Sequence, residues 1–172
     1  MNFLDQFRYT FDNLSELSIT KNQDTETKTS YNNPQLKSLL STSVKVTPEI
    51  FPKVAKAIDQ VFERLKLKNN FNFFITANHL QTQALCAMMP QSSNAEIIIT
   101  SKMIDLLNGE ELQSVIGHEV SHFYYQHSLY PSPDQARTKT EFLNLLHLSR
   151  AAEISADRAG FLGSGSLEYS LR

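Results

Sequence analysis

Five consecutive residues, His118-Glu119-Val120-Ser121-His122, carry the chain's most specific chemistry. Two histidines four apart on a helix leave the same face one turn apart. Their imidazoles can then reach a single ion at about 2.0–2.1 Å, the zinc–nitrogen distance. Glu119 lies about 100° round the helix from His118, beside the ligands without being one. From there its carboxylate can take a proton from water activated by the metal. A histidine pair at this spacing decorates many surfaces; the glutamate after the first histidine is what adds a mechanism. Gly117, next in line, leaves room for another segment to come close.

A catalytic zinc usually takes three protein ligands and keeps one position open. The candidate for the third lies in Ala151-Ala152-Glu153-Ile154-Ser155-Ala156-Asp157-Arg158-Ala159-Gly160. Glu153 and Asp157 are again four apart, so two carboxylates share one helix face. Taken alone, that pair would be a solvated acidic face. Beside the first motif it has a use, because Ala152, Ala156, Ala159 and Gly160 let this helix pack close to the other. Glu153 is assigned as the third ligand. Asp157 is assigned to accept the free N–H of His118 and so fix its tautomer. One Zn2+ per chain is expected.

Rigid elements must hold these side chains. Ile50, Phe51, Val54, Ile58, Val61, Phe62 and Leu65 form an apolar stripe, and Thr47-Pro48-Glu49 has the chemistry of a helix start. A helix is therefore predicted over residues 48 to 66. Three short apolar or β-branched runs, Phe71 to Ala77, Gln83 to Met88 and Ala95 to Thr100, predict three strands. Ser101 is placed to cap a short helix to Leu107. A longer helix runs from Glu110 through both histidines to about His127, and Tyr130-Pro131-Ser132-Pro133 ends it. The last helix is predicted over residues 138 to 162, closed by Gly163. The order describes an α+β domain.

Residues 1 to 17 place Phe3, Leu4, Phe7, Phe11, Leu14 and Leu17 at helical spacing. Residues 18 to 34 are almost wholly polar and bury too little to offset their ordering entropy. Residues 1–34 are thus expected to be an N-terminal helix and polar linker, an appendage or pro-segment. Residues 35–172 form the main domain.

The chain has 172 residues, 41% hydrophobic and 20% charged, enough for one globular domain with a core around a site. A net charge of -2 with no basic stripe argues against nucleic acid as a partner. No basic segment followed by an apolar one opens the chain, and no apolar run approaches the roughly 20 residues that cross a bilayer. With Cys86 as the single cysteine, no internal disulfide can form. A cytoplasmic setting is the resulting expectation.

The two motifs together, His118-Glu119-Val120-Ser121-His122 and Glu153-Ile154-Ser155-Ala156-Asp157, resemble those of the gluzincins. Within them the chain is most similar to metallopeptidase family 48, the CAAX prenyl protease and HtpX-like family. Ile97-Ile98-Ile99-Thr100, Gly109-Glu110-Glu111-Leu112 and Val115-Ile116-Gly117-His118 add to the resemblance, which covers roughly residues 47 to 162. His127 matches a histidine often found five residues beyond the first motif. The resemblance implies a zincin-like fold, a small mixed sheet packed on the active-site helix and on the helix carrying the third ligand. It also implies a zinc-dependent metalloendopeptidase acting on polypeptide, with Glu119 as general base. In such enzymes an edge strand binds extended peptide, and Gln83-Ala84-Leu85-Cys86 is the best match. Members usually continue with further helices and a residue that stabilises the tetrahedral intermediate, so the expectation is either a domain truncated at its C-terminus or that role filled elsewhere.

Other readings carry less. A thiolate of Cys86 on the metal is set against a small buried hydrophobe. His79 and His147 have no metal spacing, Tyr124-Tyr125 reads as packing, and nothing in its spacing gives Tyr130 a role. A latent enzyme covered by its N-terminal segment, or a non-catalytic zinc-stabilised module, are the alternative functions.

Overall fold

Three short apolar or β-branched runs each become a strand: β2 (Phe71–Thr76), β3 (Ala84–Met88) and β4 (Ala95–Thr100). The computed structural model describes residues 3–14, 34–68, 70–77, 82–88, 94–166 and 168. A fourth strand, β1 (Ser43–Lys45), precedes them and was not foreseen, since three residues show no legible alternation. The sheet order is β1-β2-β4-β3. β2 and β4 run parallel, pairing Phe73 with Ile97 and Ile75 with Ile99, while the edge strands β1 and β3 are antiparallel to their neighbours. All six residues of β4 are buried, as its unbroken apolar run requires of a covered strand. β3 is left as an edge on the side of the site.

Helices cover the sheet. α1 (Pro34–Ser41) begins where only the end of a linker was expected. α2 (Pro52–Leu65) turns Val54, Ala57, Val61 and Leu65 inward. It starts later than Thr47-Pro48 suggested. Residues 48–50 form a turn in which the N–H groups of Ile50 and Phe51 both donate to the Thr47 carbonyl. Pro52 then takes the first helical position, where a missing N–H costs nothing, and Ile50 is left exposed. α3 (Ser101–Leu106) follows β4 directly.

α4 (Gly109–Tyr124) carries the first motif. Asn108 and Glu111 cap it reciprocally, each side chain accepting the other's backbone N–H at 2.9 Å. α5 (Lys139–Ser164) carries the second. Its start is capped by Thr138, whose Oγ1 accepts the Glu141 N–H at 3.1 Å. It ends on Gly165 at φ 68°, not on Gly163. Gly163 stays inside the helix because it faces α4, where a Cβ would stand 3.2 Å from the Gln113 carbonyl oxygen.

The two helices touch backbone to backbone. A Cβ on Gly117 would lie 2.8 Å from the Ala159 carbonyl oxygen, and one on Gly160 would lie 2.8 Å from that of Ser114. Arg64 of α2 locks the far end, donating from Nη1 to Gln113 Oε1 at 2.6 Å and to the Gly163 and Ser164 carbonyls at 2.7 Å.

Residues 3–14 pack against this body. Leu4 is fully buried in the same apolar cluster as Val61 and Ile116. The Tyr125 hydroxyl donates to the Leu4 carbonyl at 2.8 Å, and the Tyr9 N–H donates to Ser155 Oγ at 2.9 Å. The helix predicted over residues 1 to 17 is one 3-10 turn, Leu4–Phe7, within its described part. Phe11 of the expected stripe is exposed, while polar Asp12 is buried. Most of the expected linker, through residue 33, lies outside the described residues. Among the described residues no helix is long and apolar enough to cross a membrane.

Gly117→Ala forces the two helices apart and is expected to destabilise by about 1–3 kcal/mol, lowering Tm by several degrees. Gly109→Ala meets nothing within 4 Å and serves as the control. Equal melting of Gly117→Ala and wild type in a thermal scan would overturn the close-contact reading.

Candidate metal centre

The last two turns of α4 direct His118 and His122 at one point, their Nε2 atoms 3.0 Å apart. α5 brings the Glu153 carboxylate to it. Oε2 lies 3.4 Å from His118 Nε2, and Oε1 lies 3.9 Å from His122 Nε2. Ligands about 2.0–2.1 Å from a tetrahedral zinc stand about 3.3 Å from one another. One donor atom of each of the three groups lies within 4.8 Å of the others, close enough that together they could hold such an ion.

Hydrogen bonding agrees. His118 Nδ1 is 3.0 Å from Asp157 Oδ1, the contact assigned from the sequence. A carboxylate can only accept, so Nδ1 carries a hydrogen and Nε2 is the nitrogen left to face the centre. Behind the second ligand, His122 Nδ1 is 2.8 Å from His127 Nδ1, and His127 Nε2 is 3.0 Å from Asp12 Oδ2.

The charges form one coupled group. Burial pulls the His118 pKa down, but the bond to Glu153 and the charges of Glu119, Glu153 and Asp157 outweigh it and raise the value. His122 is held low by burial and by a charged His118 beside it, against the pull of Glu153. The bond from His118 lowers Glu153 against its burial. Two ring nitrogens 3.0 Å apart cannot both be protonated, and with the carboxylate they could hold one cation.

Glu119 sits beside the ligands, mostly out of solvent, and accepts the backbone N–H of Cys86. Burial raises its pKa above the usual glutamate value, further raised by Glu153 and opposed by His118 and the Cys86 N–H. It opens on a cleft of about 380 Å³ walled by Leu85 and Cys86 of β3, by Tyr130 to Pro133, and by Ser149, Ala152 and Glu153 of α5. Of the predicted peptide-binding residues, Leu85 and Cys86 line the cleft. Ala84 does not, and Gln83 is tied to the neighbouring strand, exchanging bonds with Thr100 at 3.0 and 3.1 Å.

Two participants were not legible. Asp12 is a lone acid with no spacing to any motif, and nothing in its neighbourhood marks it. Tyr130 likewise has no spacing to any motif, yet its hydroxyl donates to Asp12 Oδ1 at 2.7 Å and accepts from Arg8 Nη2 at 2.7 Å. Burial and then Asp12 push the Tyr130 phenol up to about 12, so it remains a neutral donor. His147 lines a separate groove with Tyr9 and Phe11, and His79 lies outside the described residues. Tyr125 packs in the core, as foreseen for the tyrosine pair.

Burial, and after it the charge of Glu119, push the Cys86 thiol up to about 12. In chelator-treated protein at pH 8 it should stay a thiol and resist iodoacetamide until the chain is unfolded. Alkylation of the native form as fast as of the denatured form would contradict this assignment.

The family model described as Peptidase family M48 matches residues 48–145. The matched span holds His118, Glu119 and His122 and ends before Glu153. No curated protein and no solved structure matches the chain.

Proposed function

The chain belongs to peptidase family M48, and from that premise we propose a zinc-dependent endopeptidase in which His118, His122 and Glu153 hold the metal and Glu119 is the general base. The observation that carries this reading is the convergence of two imidazole nitrogens and one carboxylate, 3.0 to 3.9 Å apart, with Glu119 in the same cleft.

When bound, zinc supplies Lewis acidity, polarising a carbonyl and acidifying water. The chain's own residues do the rest. Glu119, with its pKa raised by burial, is nearer the working pH than a solvated glutamate would be. Its carboxylate accepts a proton from the attacking water and returns it to the leaving amine nitrogen. The Cys86 N–H holds that carboxylate in place. Asp157 keeps His118 Nδ1 protonated, so that Nε2 stays available.

An extended polypeptide is the substrate that suits β3. The Gln83 carbonyl accepts from Thr100, so antiparallel alternation turns the backbone groups of Ala84 and the Cys86 carbonyl outward, while the Cys86 N–H is taken by Glu119. A substrate strand added at that edge runs along the cleft wall, its side chains meeting Leu85 on one side and the Tyr130 to Pro133 segment on the other. The Tyr130 hydroxyl is committed to Asp12, which leaves stabilisation of the tetrahedral intermediate to another donor.

Wild type is expected to bind one zinc per chain and to hydrolyse casein. Glu119→Gln should keep the zinc and lose about 10²- to 10⁴-fold in kcat. Equal cleavage by the two zinc-loaded proteins would exclude Glu119 as the base. Bound zinc without hydrolysis by wild type would favour a non-catalytic zinc module instead.

A further inference from the structure

Asp12 lies 115 residues before His127 in the chain, yet the two side chains meet at 3.0 Å. The Asp12 side chain is wholly inaccessible to solvent. One oxygen takes His127 Nε2 and Arg8 Nε, at 3.0 and 3.2 Å, and the other takes the Tyr130 hydroxyl at 2.7 Å. Burial alone would push this carboxyl up, but the bonds from His127, Ser155 and Tyr130 hold it well below the usual carboxylate range. It is a buried anion at neutral pH, and such groups are retained only when fully bonded.

What it bonds has a consequence at the metal centre. Because a carboxylate only accepts, His127 Nε2 carries the hydrogen. In the neutral ring His127 Nδ1 is then an acceptor, and the hydrogen between the two rings belongs to His122 Nδ1, 2.8 Å away. That assignment leaves the His122 lone pair on Nε2, the atom facing His118 Nε2 and Glu153. We infer that Asp12 is a positioning residue for the metal centre: acting through His127, it fixes the tautomer and ring orientation of His122, as Asp157 does directly for His118.

The inference rests on the zinc reading of His118, His122 and Glu153. It extends the metal-binding unit to residues 3–14, which lie outside the span matched by the family model. None of those residues lines the cleft that holds Glu119. They act from behind the histidines and do not cover the site, so their removal should weaken metal binding and not unmask activity.

The test uses the full chain, stripped with chelator and titrated with zinc against a chromophoric competitor. Wild type is expected to bind one zinc, Asp12→Asn about 10- to 100-fold more weakly, and Asp12→Ala at least as weakly. Tyr125→Phe, which removes the hydroxyl bonded to the Leu4 carbonyl, should lower Tm yet leave zinc affinity unchanged. Imidazole nitrogen resonances of the metal-free wild type should report His127 with its hydrogen on Nε2 and His122 with its hydrogen on Nδ1.

Zinc affinities of both Asp12 variants within twofold of wild type would overturn the inference and leave the zinc reading intact. The opposite tautomers in wild type would overturn it too, whether or not the variants fold. Failure of wild type to bind zinc would instead remove the zinc reading on which it rests.

Discussion

The backbone contact between α4 and α5 is the constraint on which the site depends. Three glycines make it possible, Gly117 on one helix and Gly160 and Gly163 on the other, with the Ala159 carbonyl oxygen where a Gly117 Cβ would stand. A carboxylate on a short glutamate side chain reaches the two histidines only because the axes are this close. Helices separated by ordinary side chains stand about 8–10 Å apart, and small residues at the contact bring the Glu153 oxygens within 3.4 to 3.9 Å of the imidazole nitrogens. Arg64, bonded to both helices at once, keeps them from sliding.

Electrostatics then follow from burial. A histidine pair at 3.0 Å with a carboxylate beside it carries a conflict in any metal-free state. Protonating one ring disfavours the other, and Glu153 is drawn toward its ionised form by the charge that results. In the proposed zinc reading, a divalent cation held by all three donors would remove that conflict. Glu119 stays apart from this exchange. It is held by a backbone N–H of the edge strand, and burial raises its pKa toward the range in which a base can return the proton it takes.

The sheet contributes position more than chemistry. β4 is buried along its whole length and anchors β3 as an edge above α4. That edge is where the Cys86 amide meets Glu119, so the edge strand also positions that carboxylate. On the opposite side, residues 3–14 fill the space behind His122 and place Asp12 in a pocket of Arg8, His127 and Tyr130. His118 and His122 thus have matching support, a carboxylate in direct contact for one and a carboxylate one ring removed for the other.

Much of this was legible from local pattern. The spacing of His118 and His122, and of Glu153 and Asp157, is a statement about a helix face, and helical geometry makes it true wherever a helix forms. Apolar periodicity located α2, α4, α5 and three strands for the same reason. Boundaries were less secure. Pro48 and Pro52 both suit a helix start, and Gly163 and Gly165 both suit an end. Packing chose between them, since Gly163 was needed against α4 and Gly165 was free to take a positive φ. β1 and α1 were too short for any period to show. By itself the sequence determined which histidines and carboxylates share a helix face, because that depends on residues within one turn of each other. Only the tertiary structure decided that Asp12 and Tyr130 meet beside His127, because a contact across 115 residues leaves no periodicity to read.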